Sequence, residues 1–159
     1  KEPFKLVQLQ KQAHKRILWC CSWAHNSKYF ATGSREKTQS LKFWDYSSEE
    51  NQWVEESNVA KGLNNVTSCA FFPAPLNLGT PALGIVVGLD SGEISIWTRE
   101  ISVEAKEWTQ VHVIPEHFRH SLTVRRIKFK EIEESENGEY HIATCSNDAT
   151  TRVFKITSS

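Results

Sequence analysis

The feature that most constrains this chain is one pattern of short β-rich runs that occurs three times. Each repeat of the pattern ends in a predicted strand that carries an aromatic residue near its end; the three segments are LKFWD, EISIW and TRVFKI. Trp44 and Trp97 are 53 residues apart, and Phe154 follows 57 residues later. A long-period repeat of this kind is typical of chains that stack similar β units against one another.

Within each pass, three apolar β-rich runs are separated by polar turn residues, which predicts three consecutive antiparallel strands. Asp90-Ser91-Gly92 and Asn147-Asp148 supply tight turns. Weaker alternation at 52–60 and 107–114 predicts an outer fourth strand in the first two passes only. The first three strands of the three units are predicted at 17–23, 29–33, 40–44, 66–72, 83–88, 93–97, 124–129, 140–145 and 150–156.

Repeated four-stranded units predict an all-β fold, a WD40 β-propeller, whose blades surround a central channel. We divide the chain into an outer strand of a preceding blade at 1–10 and WD repeats at 11–60, 61–114 and 115–159. Propellers have about 4 to 8 blades, so three units cannot close a ring. The sequence therefore predicts a fragment of a larger propeller with about three four-stranded blades.

Strand alternation also predicts which side chains are buried. Two insertions, 73–82 and 131–139, are rich in turn residues or glutamate and are expected to be solvated loops. The acidic one could alternatively dock a partner. The predicted core is Leu18, Trp23, Phe30, Phe43, Val66, Ala70, Ile85, Val87, Ile94, Ile96, Ile127, Phe129, Ile142 and Val153.

Composition excludes several classes of function. Nineteen basic residues balance nineteen acidic ones, so no net field favours nucleic acid or an anionic membrane. No apolar run reaches the roughly 20 residues that span a bilayer, and the N-terminal residues lack the apolar stretch of a signal peptide, which predicts an intracellular protein. The four cysteines lie in β-like runs without a CxxC pair, which predicts buried reduced thiols and no metal site.

Two sets of residues resemble catalytic machinery. An imidazole, a hydroxyl and a carboxylate follow one another in this order in the first unit and again in the third, which could indicate a hydrolase triad built on His14. We favour a structural network instead, because a buried polar group needs a partner and these residues precede or lie on strands. The predicted network residues are His14, Thr32, Glu36 and Trp44 in the first unit and His120, Thr144 and Asp148 in the third.

A cluster of Arg125, Arg126, Lys128 and Lys130 could meet RNA phosphates, although alternation places three of them on one solvated strand face. A mixed-charge set in the turns between units suits a protein partner better than a phosphate backbone. The predicted partner-binding rim contains Lys15, Arg16, Arg35, Lys37, Asp90, His117, Arg119 and Asn147.

The segments AHKRILWCCSWAHNSKYFATGSREKTQSLKFWD, VVGLDSGEISIW, HSLTVRRIKFK and HIATCSNDATTRVFKI occur in this order and cover nearly the whole chain. Together they resemble the C-terminal WD repeats of the Elongator complex subunit 2 family. The resemblance implies a non-catalytic scaffold that binds the large scaffold subunit and the catalytic subunit of Elongator. It further implies a role in tRNA wobble-uridine modification, no cofactor, and residence in cytoplasm and nucleus. A generic WD40 adaptor of a ubiquitin ligase or of chromatin would share every structural feature.

Overall fold

A computed structural model describes residues 4–56, 62–101, 107–131 and 138–157 of the chain. Twelve antiparallel strands and one short 3-10 helix make up the secondary structure of this part. They form three sheets that follow one another along the chain, each of which we call a blade. The predicted all-β propeller fragment is confirmed.

The first blade consists of β1 (Leu18–Trp23), β2 (Tyr29–Ser34), β3 (Leu41–Ser47) and β4 (Gln52–Glu55), hydrogen-bonded in that order. Aromatic and β-branched residues give these segments their strand preference. Ser27 turns the chain between β1 and β2 with a φ of 58°.

The second blade consists of β5 (Val66–Phe71), β7 (Pro81–Leu89), β8 (Ile94–Glu100) and β9 (Thr109–Val113). A two-residue strand, β6 (Leu76–Asn77), pairs with the start of β7. The predicted loop at 73–82 is therefore partly a small hairpin, and Leu76 is buried against the sheet. This insertion extends the blade core.

The third blade has three strands in its described residues: β10 (Val124–Phe129), β11 (Glu139–Ser146) and β12 (Thr151–Thr157). A 3-10 helix, Glu116–Phe118, precedes it. The acidic insertion at 131–139 lies mostly outside the described residues, as does the end of the predicted strand at 52–60.

The inner strands β1, β5 and β10 lie side by side and join the blades. The Phe71 N–H donates to the Ser22 hydroxyl at 3.1 Å, and the Ile127 N–H donates to the Ser68 hydroxyl at 2.9 Å. We call the side of a blade that meets the following blade its front face and the other its back face. One apolar core lies between the first and second blades, and another lies between the second and third.

Two glycines allow neighbouring blades to approach closely. A Cβ on Gly33 would lie 2.6 Å from Val66 of the second blade, and a Cβ on Gly88 would lie 2.7 Å from Val124 of the third. Both valines are fully buried at the first position of an inner strand. The same glycine notch therefore recurs at both blade interfaces.

Three predicted core residues are exposed, and all three lie on faces without a neighbouring blade. Leu18 and Trp23 are on the back face of the first blade, at 47% and 54% exposure, and Val153 is on the front face of the third at 69%. Their counterparts Val66 and Phe71 in the second blade and Phe43 in the first are buried. Strand alternation correctly predicted the face on which each side chain lies, but burial also requires a neighbouring blade that covers this face. Phe30 and Phe129 are half-buried, and the remaining nine predicted core residues are buried.

Residues 4–10, predicted as an outer strand of a preceding blade, form no strand with the described residues; the Gln8 amide exchanges two hydrogen bonds with the backbone of Trp53, each 2.9 Å long. Because such a strand would pair within a different blade, this assignment stays a prediction. One further expectation is wrong. Cys21, predicted to be buried, is exposed because it lies on the open back face of the first blade, and all four thiols are free. Within the described ranges no helix is long and apolar enough to span a bilayer.

Candidate functional site

The first blade contains a chain of buried polar side chains that starts at its histidine. The Trp44 indole N–H donates to the Thr32 hydroxyl at 2.9 Å, and this hydroxyl lies 2.9 Å from Nε2 of His14. On the other side of the ring, Nδ1 of His14 lies 3.1 Å from a carboxylate oxygen of Glu36. Because a carboxylate only accepts, Nδ1 carries the proton and Nε2 of the neutral ring accepts from Thr32.

Electrostatics fix this arrangement. Burial lowers the pKa of His14 below its ordinary value and outweighs the opposing hydrogen bond to Glu36. Desolvation acts to raise the pKa of Glu36, but hydrogen bonds from the Lys15 N–H and the Ser34 hydroxyl hold it below its ordinary value. The network therefore combines a neutral imidazole with an ionised carboxylate.

The third blade builds a related network without tryptophan. Nε2 of His120 lies 2.8 Å from the Thr144 hydroxyl, and Nδ1 donates to Asp148 at 2.9 Å. Thr150 gives Asp148 two more hydrogen bonds, from its N–H and its hydroxyl. Desolvation acts to raise the pKa of Asp148, but these hydrogen bonds hold it well below its ordinary value. Phe154 occupies the tryptophan position, so the chain of hydrogen bonds ends before it.

In the second blade, the indole N–H of the tryptophan finds its hydrogen-bond acceptor on the same strand. The Trp97 indole N–H donates to the hydroxyl of Ser95, two residues earlier on the same strand, at 2.9 Å. Val87, fully buried, stands where the other blades have threonine. Sequence reasoning missed Ser95, although its spacing of two residues places both side chains on one strand face.

The first network has the composition of a catalytic triad but not its access. Thr32 is 8% exposed, and its oxygen already accepts the indole N–H of Trp44. A nucleophilic hydroxyl must reach a substrate next to stabilising donors. In the part of the chain that the structure describes, no cluster of three or more histidine, cysteine or acidic residues could hold a metal ion. The geometry suits a structural role for these side chains.

Four residues of the predicted rim line one shallow depression at the edge of the first blade: Lys15, Arg16, Arg35 and Lys37. All four are exposed. Arg35 differs from the others because its guanidinium donates to Asp90 of the second blade at 3.0 Å. This ion pair links two blades, whereas the other three cations form no ion pair within the described residues.

The other rim residues continue along the same edge. The second oxygen of Asp90 accepts from the Thr123 hydroxyl at 2.6 Å, and the Thr123 carbonyl accepts the Asn147 N–H at 3.1 Å. The Thr123 hydrogen bond, with the charge of Arg35, lowers the pKa of Asp90. Arg119 pairs with Glu116 at 2.7 Å. His117 is exposed beside Phe118 in the 3-10 helix, its ring centroid 4.0 Å away.

Sequence reasoning missed a buried ion pair. Arg99 of β8 donates to both carboxylate oxygens of Glu56, at 2.7 and 2.8 Å, and the side chains are 6% and 2% exposed. The guanidinium also lies 4.6 Å from the ring centroid of Tyr29. A signal existed: alternation from Trp97 places Arg99 on a buried face, where a charge requires a partner.

Comparison with known proteins identifies relatives. Residues 6–45 match the family model described as "WD domain, G-beta repeat". The chain is similar to Elongator complex protein 2 of Dictyostelium discoideum, at 33% identity over 98% of this chain, and of Rattus norvegicus, at 31% over 90%. The human protein of the same name is 27% identical over 90%. The chain spans about a fifth of the length of these relatives, between 18% and 19%.

Proposed function

Because the chain belongs to the Elongator complex protein 2 family and is built of WD40 repeats, we propose that it is a non-catalytic scaffold segment of Elongator. In this role it supports the assembly of the large scaffold subunit and the catalytic subunit, in cytoplasm and nucleus. The assembled complex would serve tRNA wobble-uridine modification.

The observation that carries this proposal is the contrast between the interior and the rim. The histidines and threonines of the two networks hydrogen-bond to one another and are buried. By contrast, Lys15, Arg16 and Lys37 are exposed without an ion pair within the described residues. Polar groups that are free on the surface can bind a partner, and the mixture of charges along the rim fits a protein surface.

The test is charge reversal in the full-length protein. We expect Arg16→Glu with Lys37→Glu to reduce co-purification of the other Elongator subunits several-fold, because the depression would then repel an acidic partner surface. Arg35 is left unchanged because it pairs with Asp90 of the second blade. Replacing it would weaken the contact between blades as well as any contact with a partner, and the two effects could not be separated. Lys5→Glu with Lys28→Glu makes the same charge change at exposed positions outside the rim and should leave recovery unchanged.

Mass spectrometry of the proteins that co-purify with the wild type separates the alternatives. Recovery of Elongator subunits supports the proposal. Recovery of ubiquitin-ligase or chromatin components in their place would favour a generic WD40 adaptor. Unchanged assembly of the rim variant would contradict the rim assignment, but it would leave the scaffold role standing.

A further inference from the structure

The front face of the third blade carries a column of positive charge. Arg126, Lys128 and Lys130 occupy alternate positions along β10 and its end, so their side chains lie on one face about 7 Å apart. All three are exposed. Across the sheet, Lys128 is opposite Ala143, which is opposite Val153, so an apolar centre adjoins the column.

The same positions in the other two blades are small or apolar. The strand register aligns the column with Cys20, Ser22 and Ala24 in the first blade and with Ser68, Ala70 and Phe72 in the second. Each of these six side chains is buried or half-buried at a blade interface. At these inner-strand positions the front faces of the first and second blades therefore pack against a neighbour without charge, and the third cannot do so in the same way.

The glycine notch is also absent from this face. Gly33 and Gly88 stand opposite Cys20 and Ser68, and each admits the first valine of the next inner strand. The third blade has Cys145 at this position, opposite Arg126. A valine could not enter here as it does at the two interfaces that the structure describes. Two independent features thus distinguish the third front face.

The cations of the column have no carboxylate partner among the residues that the structure describes. Within the described ranges no ion pair involves Arg126, Lys128 or Lys130, whereas Lys155 at the side of the same face pairs with Glu139 at 2.5 Å. Like charges along one strand repel each other, and covering them without carboxylates would leave buried unpaired cations. A surface that packs on this face and excludes water from these cations must therefore supply carboxylates.

We propose that this face docks the inner strand of a further blade from the same, longer polypeptide, and that this strand carries aspartate or glutamate at alternate positions. In the described blades, inner strands follow one another in the order β1, β5, β10, each bonded to the next through a serine hydroxyl. Radial repetition places another inner strand beside β10. Two strands share the same two-residue repeat, so alternate carboxylates meet the column one for one. This inference is independent of the proposed Elongator role.

Zero-length cross-linking of the full-length protein with a carbodiimide tests the contact directly, since it joins a lysine amine only to a carboxylate that touches it. We expect Lys128 or Lys130 to link to alternate acidic residues of a strand in another WD repeat of the same polypeptide. Links only to another subunit, or only to the glutamates of the adjacent 131–139 insertion, would overturn the proposal. So would the absence of links together with complete acetylation of Lys128 in the folded protein.

Charge reversal gives a second test. In the full-length protein, Lys128→Glu should lower the thermal unfolding midpoint by several degrees relative to Lys28→Glu, a control in an exposed turn. The difference should shrink in about 1 M salt, and changing the linked carboxylate to lysine should restore the midpoint. If Lys128→Glu does not fold, Lys128→Gln should show a smaller shift of the same sign. Equal midpoints for variant and control would overturn the proposal, and loss of RNA binding at an unchanged midpoint would assign the face to nucleic acid instead.

Discussion

The second blade and its two neighbours are built on one backbone plan but are stabilised differently. The second blade is packed on both faces, and fully buried Val87 stands where the first and third have Thr32 and Thr144. The flanking blades each leave one face open and each bury a histidine that hydrogen-bonds to the threonine.

The difference shows which parts of a repeat are interchangeable. The strand register and the inner-strand bulge recur in all three blades, between Leu18 and Cys20, Val66 and Ser68, and Val124 and Arg126. Inside this frame, an apolar side chain or a hydrogen-bonded polar set fills the same space. Either solution leaves no buried donor or acceptor of the set without a partner, which is the condition that matters energetically.

The largest expected effect concerns the open faces. Expressed alone, this chain should self-associate at micromolar concentration, because Trp23 and Val153 expose apolar surface on opposite ends of the blade array. Sedimentation velocity measures it. Trp23→Ser with Val153→Ser should shift the chain toward monomer, whereas Leu122→Ser, at an exposed loop position, should not. A monomeric wild-type chain would contradict the contrast between open and covered faces.

The next effect concerns how the second blade is attached to the first. Arg99→Met should lower the free energy of unfolding by about 3–5 kcal/mol, because it leaves the buried carboxylate of Glu56 unpaired. Chemical denaturation of the full-length protein measures the change. Adding Glu56→Leu should recover much of the loss, since an apolar pair needs no counter-charge. If the double variant has the same unfolding free energy as Arg99→Met alone, the loss comes from the packing of the Arg99 side chain and not from an unpaired charge on Glu56.

Removing a network histidine should have a moderate effect. His14→Ala and His120→Ala should each lower the free energy of unfolding by about 1–3 kcal/mol, because each removes the buried imidazole that accepts from a threonine hydroxyl and donates to a carboxylate. His25→Ala, at an exposed position, is the control and should be close to neutral. If both variants keep the unfolding free energy of the wild type, these blades, like the second, do not depend on a histidine.

Acid should separate the contributions of His14 and Asp148 to stability by the pH at which each is lost. The folded-state pKa of His14 is below its ordinary 6.5, so the unfolded chain binds the proton more readily and stability falls as the pH drops below about 6.5. Asp148 has its pKa depressed from 3.8, so its contribution is lost only below about pH 4. Denaturant unfolding across pH 3–7.5 should show His14→Asn flattening the upper part of the profile and Asp148→Asn the lower part. Identical profiles would contradict this separation.

The smallest effect is expected at the outer end of the first network. Trp44→Phe reproduces the residue that the third blade has at this position, Phe154, and removes one hydrogen bond to Thr32. We expect a loss of about 0.5–1.5 kcal/mol in unfolding free energy, because the hydroxyl of Thr32 retains His14. The measurement is denaturant unfolding beside His14→Ala. A loss larger than that of His14→Ala would mean that the indole, and not the imidazole, anchors the network.

The sequence predicted the parts of this molecule that are encoded locally. Alternation located the inner strands, and the order of residue types brought His14, Thr32 and Trp44 into one candidate set. Burial of Leu18, by contrast, depends on a neighbouring blade, which alternation along a single strand does not report. The pairing of Arg99 with Glu56 spans 43 residues, so no local pattern predicts it. Properties that depend on contacts between two blades can be read only from the tertiary structure.

The glycine notch has a consequence for the circumference of a complete ring. Beside the second strand of a blade, where Gly33 admits Val66, neighbouring blades nearly touch. Farther from the axis the same two blades are held apart by stacked rings, those of Phe43 and Trp108, 4.1 Å between centroids. Thin packing inside and thick packing outside make each blade a wedge, and the wedge sets the angle through which successive blades turn. Filling the notch with alanine would blunt the wedge, so that a closed circle would require more blades.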